Sequence, residues 1–325
     1  MEPINQSDNK IPSGEFPKER RGYIFSPSIV IAALIIASAW IYTTDFKVKP
    51  QDKNKQARGS VQNEHAGETL VIPLALGDLG SRMIEAGVID LQAFEAIYAG
   101  RGGLTTEEME LLIGKTNNKI IVNQKNAGFI LNFLWAFGLG NKNPILENGP
   151  MTDPNYGGPN RFASTGGWTL ANGNIMDHYS AHAFVALTKE QQELVERVSK
   201  NIYRPCCDNS TYFPDCNHGM AMLGLLELLA AQNTNEQTMY KVALQMNTFW
   251  FPDQYATISR YLQQNGLNIE SVDAKEILGS AYSSTSGYRG ILQLVGPQTP
   301  TSSGGCGVSS GRRNAILAQQ NDSSC

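Results

Sequence analysis

The longest apolar stretch of the chain lies near its N-terminus, where 23 residues between Arg21 and Asp45 (GYIFSPSIVIAALIIASAWIYTT) carry no charge. At a rise of about 1.5 Å per residue, a helix over 23–44 is long enough to cross a hydrocarbon layer of roughly 30 Å. Tyr23 stands at one end and Trp40 and Tyr42 at the other, where amphipathic rings favour the membrane interface. The pattern predicts a single-pass transmembrane helix, with the lipid bilayer as a partner. Ala37-Ser38-Ala39 also has the form of a signal-peptide cleavage site, but the apolar run continues beyond it and the preceding polar region is long. Basic residues flank the segment on both sides, so the positive-inside rule is nearly balanced. A short N-terminal tail ahead of a large C-terminal domain makes an extracytoplasmic domain the expectation.

Polarity divides the rest. Residues 1–22 read as a disordered tail, 45–67 as a polar tether and 299–325 as a disordered Gly/Ser-rich tail. Between them, 68–298 reads as one soluble domain. Helical spacing dominates it: 91–98, a capping box at Thr105 and Glu108 opening 107–113, and an all-round apolar helix over 126–137. A second box, Thr188 with Gln191, opens a polar helix reaching about 202. Further helices are predicted over 216–232, 236–250 (opened by Thr234 and Gln237), 254–264 and 274–281, with 119–122 as a short strand. The segment 140–174 has neither period and reads as a long functional loop in which Asp153, Tyr156, Arg161 and Trp168 could line a pocket. The fold class is mostly α, with long Gly/Pro-rich loops.

Composition changes this picture little. Apolar residues at 41% and charged residues at 17% suit a chain with a sizeable core. A net charge of −4, with no Lys/Arg-rich stretch inside the domain, argues against nucleic acid as a partner. No P-loop, nucleophile elbow or H-E-x-x-H motif appears, so no catalytic residue is assigned and enzyme activity is left open.

The candidate chemistry lies in YRPCCDNSTYFPDCNHGMAM, residues 203–222. Cys206, Cys207, Cys216 and His218 supply thiolates and an imidazole, which suit copper or zinc, with Met220 and Met222 close behind. With Asp215 or Asn217 as N-cap, Cys216 would stand at a helix N-terminus, where the dipole favours the thiolate. His178 and His182, four residues apart, would share a helical face and could add ligands or form a second site. Two other readings use the same residues. Cys216 could be a reactive thiol, with His218 or His178 as base and Cys206 or Cys207 as resolving partner. Alternatively, Cys206 or Cys207 could form a disulfide with Cys216 and staple a binding or scaffold domain. Asn209-Ser-Thr211 has the form of a glycosylation acceptor.

Overall fold

The computed structural model describes residues 69–295. The anchor predicted at 23–44, both predicted tails, and Cys306 and Cys325 lie outside these residues. Among the described residues, no helix is long and apolar enough to cross a membrane.

The domain opens with a strand that helical periodicity does not reveal. β1 (Leu70–Gly77) alternates strictly, burying Leu70, Ile72, Leu74 and Leu76. It pairs antiparallel with β2 (Thr116–Val122), from Leu70 opposite Val122 to Gly77 opposite Thr116. Pro73 is tolerated because β1 is an edge strand. Beside it, the Gln232 amide takes the place of a neighbouring strand: it accepts from the Ala75 N–H at 3.1 Å and donates to the Ala75 carbonyl at 3.1 Å.

Three helices lie between the strands: α1 (Leu79–Glu85), α2 (Leu91–Ala96) and α3 (Thr106–Ile113), the last opened by the Thr105–Glu108 capping box. Next comes α4 (Ala127–Gly140), buried on nearly every side as its apolar sequence predicts. After α5 (Lys189–Ser199) follows the equally buried α6 (Asn217–Ala231). These two form the centre of the core. They cross backbone to backbone: a Cβ on Gly138 would run into the Met220 carbonyl, and one on Gly224 would stand 2.7 Å from the Leu134 carbonyl oxygen. Only glycine permits this approach.

The remaining helices are α7 (Glu236–Trp250), α8 (Pro252–Gln264) and α9 (Thr285–Val295). α7 is capped by Asn235, whose side chain accepts from Thr238 N–H, rather than by Thr234. The helix predicted over 274–281 is interrupted at Gly279 into the turns Ala274–Ile277 and Ser280–Ser283. α9 then begins in a Ser/Thr/Gly sequence that obscures its start.

The segment 140–174 is not structureless. Its prolines open helical turns: Pro144–Asn148, Pro150–Thr152, Pro154–Tyr156 and Pro159–Arg161. Proline suits a first helical position because its fixed φ is already helical and the missing N–H has no partner there in any case. Trp168 is buried rather than lining an open pocket, and its indole donates to the Val88 carbonyl at 2.9 Å. Tyr156 and Phe162 pack on Phe213, with centroid separations of 5.3 Å, fastening this segment to the cysteine-bearing one.

Candidate metal centre

The chain leaving α5 makes a closed loop before entering α6. Thr211 ties the loop shut, its N–H and hydroxyl both donating to the Ile202 carbonyl, at 2.8 and 3.1 Å. Within it, a turn from the Arg204 carbonyl to Cys207 N–H, 3.1 Å, brings the adjacent cysteines round to face Cys216.

Arg204 fills the inside of this loop and is only 1% exposed. Its guanidinium donates to the Asn209 carbonyl (3.0 Å), Asn209 Oδ1 (2.7 Å), the Phe213 carbonyl (3.2 Å), Asp215 Oδ1 (2.7 Å) and Cys216 Sγ (3.1 Å). Asn209 Nδ2 closes the ring by donating to Asp215 Oδ2 at 2.6 Å. A buried guanidinium is costly unless its donors are met, and here a single side chain organises the loop from within. The acceptor-like Asn209 is thus engaged in the ring, and Thr211 is buried. Gly219 belongs to the same arrangement, since a Cβ there would stand 2.7–2.8 Å from the guanidinium.

The cap of α6 differs from the sequence expectation. Neither Asp215 nor Asn217 is the N-cap, because Asp215 is committed to Arg204 and Asn209. Cys216 itself takes that position, and its sulfur accepts from Gly219 N–H at 3.3 Å.

The three thiols meet. The Sγ atoms of Cys206 and Cys207 are 3.3 Å apart, those of Cys207 and Cys216 3.4 Å, and those of Cys206 and Cys216 3.7 Å. All three cysteines are free, so the disulfide reading does not describe this structure. Hydrogen bonds from Cys206 and Cys207 lower the Cys216 thiol well below its ordinary value, helped by Arg204 and His218, and this prevails over burial. Cys206 is pushed up because its hydrogen bonds to Cys207 and Cys216 favour the protonated form, and burial adds to this. For Cys207, the bond from Cys206 lowers the thiol, but its own bond to Cys216 and burial prevail and raise it. Around the Cys216 sulfur thus gather two thiols, a guanidinium and a backbone amide.

The predicted histidines separate. His218 is buried against Phe251, with centroids 4.4 Å apart, and groups with Cys206 and Cys216 with ligand atoms within 4.8 Å of one another. A second such group is Cys207, Asp215 and Cys216. Neither contains His178 or His182. Those two do not share a helical face either: a short turn, Ile175–Asp177, ends before His178. They are instead bonded to each other, Nδ1 of His178 lying 3.0 Å from Nε2 of His182, while His178 Nε2 donates to the Asn172 carbonyl at 2.8 Å. Met220 and Met222 belong to the hydrophobic core.

The described C-terminal helix is docked on the cysteine loop. Thr285 N–H donates to the Cys207 carbonyl at 3.0 Å, and Ser286 N–H and hydroxyl both donate to Asp208 Oδ1 at 2.7 Å. The sequence pattern does not point to Arg204 or Ser286, although Arg204 lies two residues before the cysteine pair, and it marks Asn209 only as a glycosylation acceptor.

Comparison with protein families, curated proteins and solved structures finds no match. The functional reading therefore rests on the geometry of this site.

Proposed function

We propose that this chain is a membrane-anchored protein that binds one soft transition-metal ion, copper(I) or zinc, through Cys206, Cys207 and Cys216. The observation that carries the reading is the mutual approach of the three sulfurs, 3.3–3.7 Å. A point in their plane equidistant from all three is about 2.0 Å from each sulfur. An ion at the usual metal–thiolate distance of about 2.3 Å therefore fits about 1 Å to one side of that plane.

Cys216, whose thiol is lowered, provides the first ligand at the base of the site. Cys206 and Cys207, half-buried, give up their protons as the ion enters, and this couples uptake to proton release. Arg204 holds the loop in shape, and its charge offsets part of the negative charge that collects on sulfur. His218 stands beside the Cys206–Cys216 edge, either as a further donor or as a hydrogen-bonding neighbour. His178 and His182 are outside this ligand set.

The reading is tested by elemental analysis of the full chain purified without chelators, beside Cys216→Ser. Near-stoichiometric copper or zinc, lost in the variant while helicity is retained, is the expected result. No metal, with all thiols freely alkylated, would instead favour the reactive-thiol reading, which the lowered Cys216 thiol also supports. The uncharged segment 22–44 supports the anchor and an extracytoplasmic domain. Protease added to intact cells is expected to digest the domain, and full protection would overturn that orientation.

A further inference from the structure

The geometry points to a particular class of ligand for this centre: we propose that it binds trivalent arsenic or antimony, taken up as the oxyacid and held by the three sulfurs alone. The inference rests on the reading that these thiols bind one soft ion together, and it adds which kind. With bonds of about 2.3 Å to each sulfur, the three separations correspond to S–ion–S angles of about 92°, 95° and 107°. Such a centre stands roughly 1 Å out of the sulfur plane. That is the shape of a trigonal pyramid, in which a lone pair on the central atom occupies the open side. A trigonal-planar ion would need wider separations.

A tetrahedral ion would need a fourth donor equally close to all three sulfurs. His218 stands with Cys206 and Cys216, at one edge of the sulfur triangle.

Charge gives an independent argument. The one guanidinium at the site, Arg204, is shared between Asp215 at 2.7 Å and Cys216 Sγ at 3.1 Å, so it offsets little charge beyond these two. Three thiolates around a trivalent centre make a neutral product, whereas zinc leaves one negative charge and copper(I) two. Uncompensated charge is what a buried site tolerates least.

Binding is a condensation. Three As–O bonds of arsenous acid and the S–H bonds of the thiols break, three As–S bonds form and three waters leave. Any sulfur that enters as thiolate draws the missing proton from solvent. Arsenic remains trivalent throughout, and nothing is oxidised or reduced.

The test uses the full chain with Cys306→Ser and Cys325→Ser, leaving only the three thiols, titrated with sodium arsenite and separately with zinc chloride. The expected result is one arsenic per chain, with three sulfurs and no nitrogen or oxygen by arsenic-edge X-ray absorption. Cys207→Ser and Cys206→Ser, each shown to be folded by circular dichroism, should bind at least about 100-fold more weakly, since each loses one arm of a three-arm chelate. Oxygen in the arsenic shell, or affinity unaffected by either serine variant, overturns the inference. Zinc bound with His218 while arsenite fails to saturate sinks this inference but leaves the soft-metal reading standing. Protection of the thiols by neither ion sinks both.

Discussion

The two ends of one buried helix hold polar groups in opposite ways. At the start of α6, Cys216 receives hydrogen bonds from Arg204 and Gly219 and contacts two thiols, and the Arg204 guanidinium reaches five acceptors. Three turns later, Glu227 is equally buried but less well served. It accepts a close hydrogen bond from the Asn141 side chain, and the Asn143 amide stands too far off to complete one to its Oε1. Burial raises the Glu227 carboxyl to about 8, against the lowering effect of the Asn141 and Asn143 amides. Charge persists where a whole loop is folded around it. Where burial meets too few donors, the carboxyl is raised instead.

This contrast can be broken most severely at Arg204. Arg204→Met should destabilise the domain by about 3 kcal/mol, because the half-buried Asp215 and Asn209 and the buried Cys216 lose the donor that joins them. Denaturant unfolding would measure the loss, and thiol alkylation should become faster at Cys216. An unchanged unfolding midpoint would mean that the loop does not depend on its internal cation.

Next in size is the pH dependence imposed by Glu227. Its folded value, about 8, lies above its ordinary 4.5, so the folded state binds more protons between these values. Stability should therefore be complete below about 4.5 and decline as pH rises through about 8, by a few kcal/mol in order of magnitude. Glu227→Gln should remove that slope while leaving ion binding intact. A slope that survives the substitution would assign it to another group.

The close crossing of α4 and α6 supports both ends of the helix. Gly138→Ala should cost about 1–3 kcal/mol, since the added methyl group meets backbone that cannot turn aside. Unfolding of the variant in urea would show it, and a neutral result would mean that the helices separate without penalty.

The smallest effect is expected at the histidine pair. His178→Ala removes its bonds to His182 and Asn172 and should cost about 1 kcal/mol, with no change in metal content. Loss of metal in this variant would return His178 and His182 to the ligand set. Burial and the neighbouring His178 lower His182 below its ordinary 6.5, so its contribution to stability should fade as pH falls through that value.

Much of this arrangement is legible in the sequence because it is local. The capping boxes at Thr105 and Thr188 form as written, and the all-round apolar runs become the two central helices. Clustering of Cys206, Cys207, Cys216 and His218 is visible as spacing alone. What sequence does not show depends on partners distant along the chain. β1 is a strand because β2 and Gln232 meet it, and an apolar run containing proline carries no such information. His178 and His182 have helical spacing, but the backbone there is a turn. Prolines at 144, 150, 154 and 159 read as loop formers when each opens a helical turn. Nothing in the sequence marks Arg204 as buried, because an arginine in a loop ordinarily faces water. Glu227, a lone carboxylate inside MAMLGLLELLAA, was the available signal for a buried acid.

The central claim is that three particular thiols hold one ion together. It is tested most directly by counting reactive thiols on the reduced full chain, before and after one equivalent of zinc or copper(I). The account predicts that five thiols react in the free protein and that a single equivalent protects three, identified by peptide mapping as Cys206, Cys207 and Cys216. Five thiols still reacting after the ion is added, or protection of Cys306 and Cys325 in place of the cluster, would contradict it.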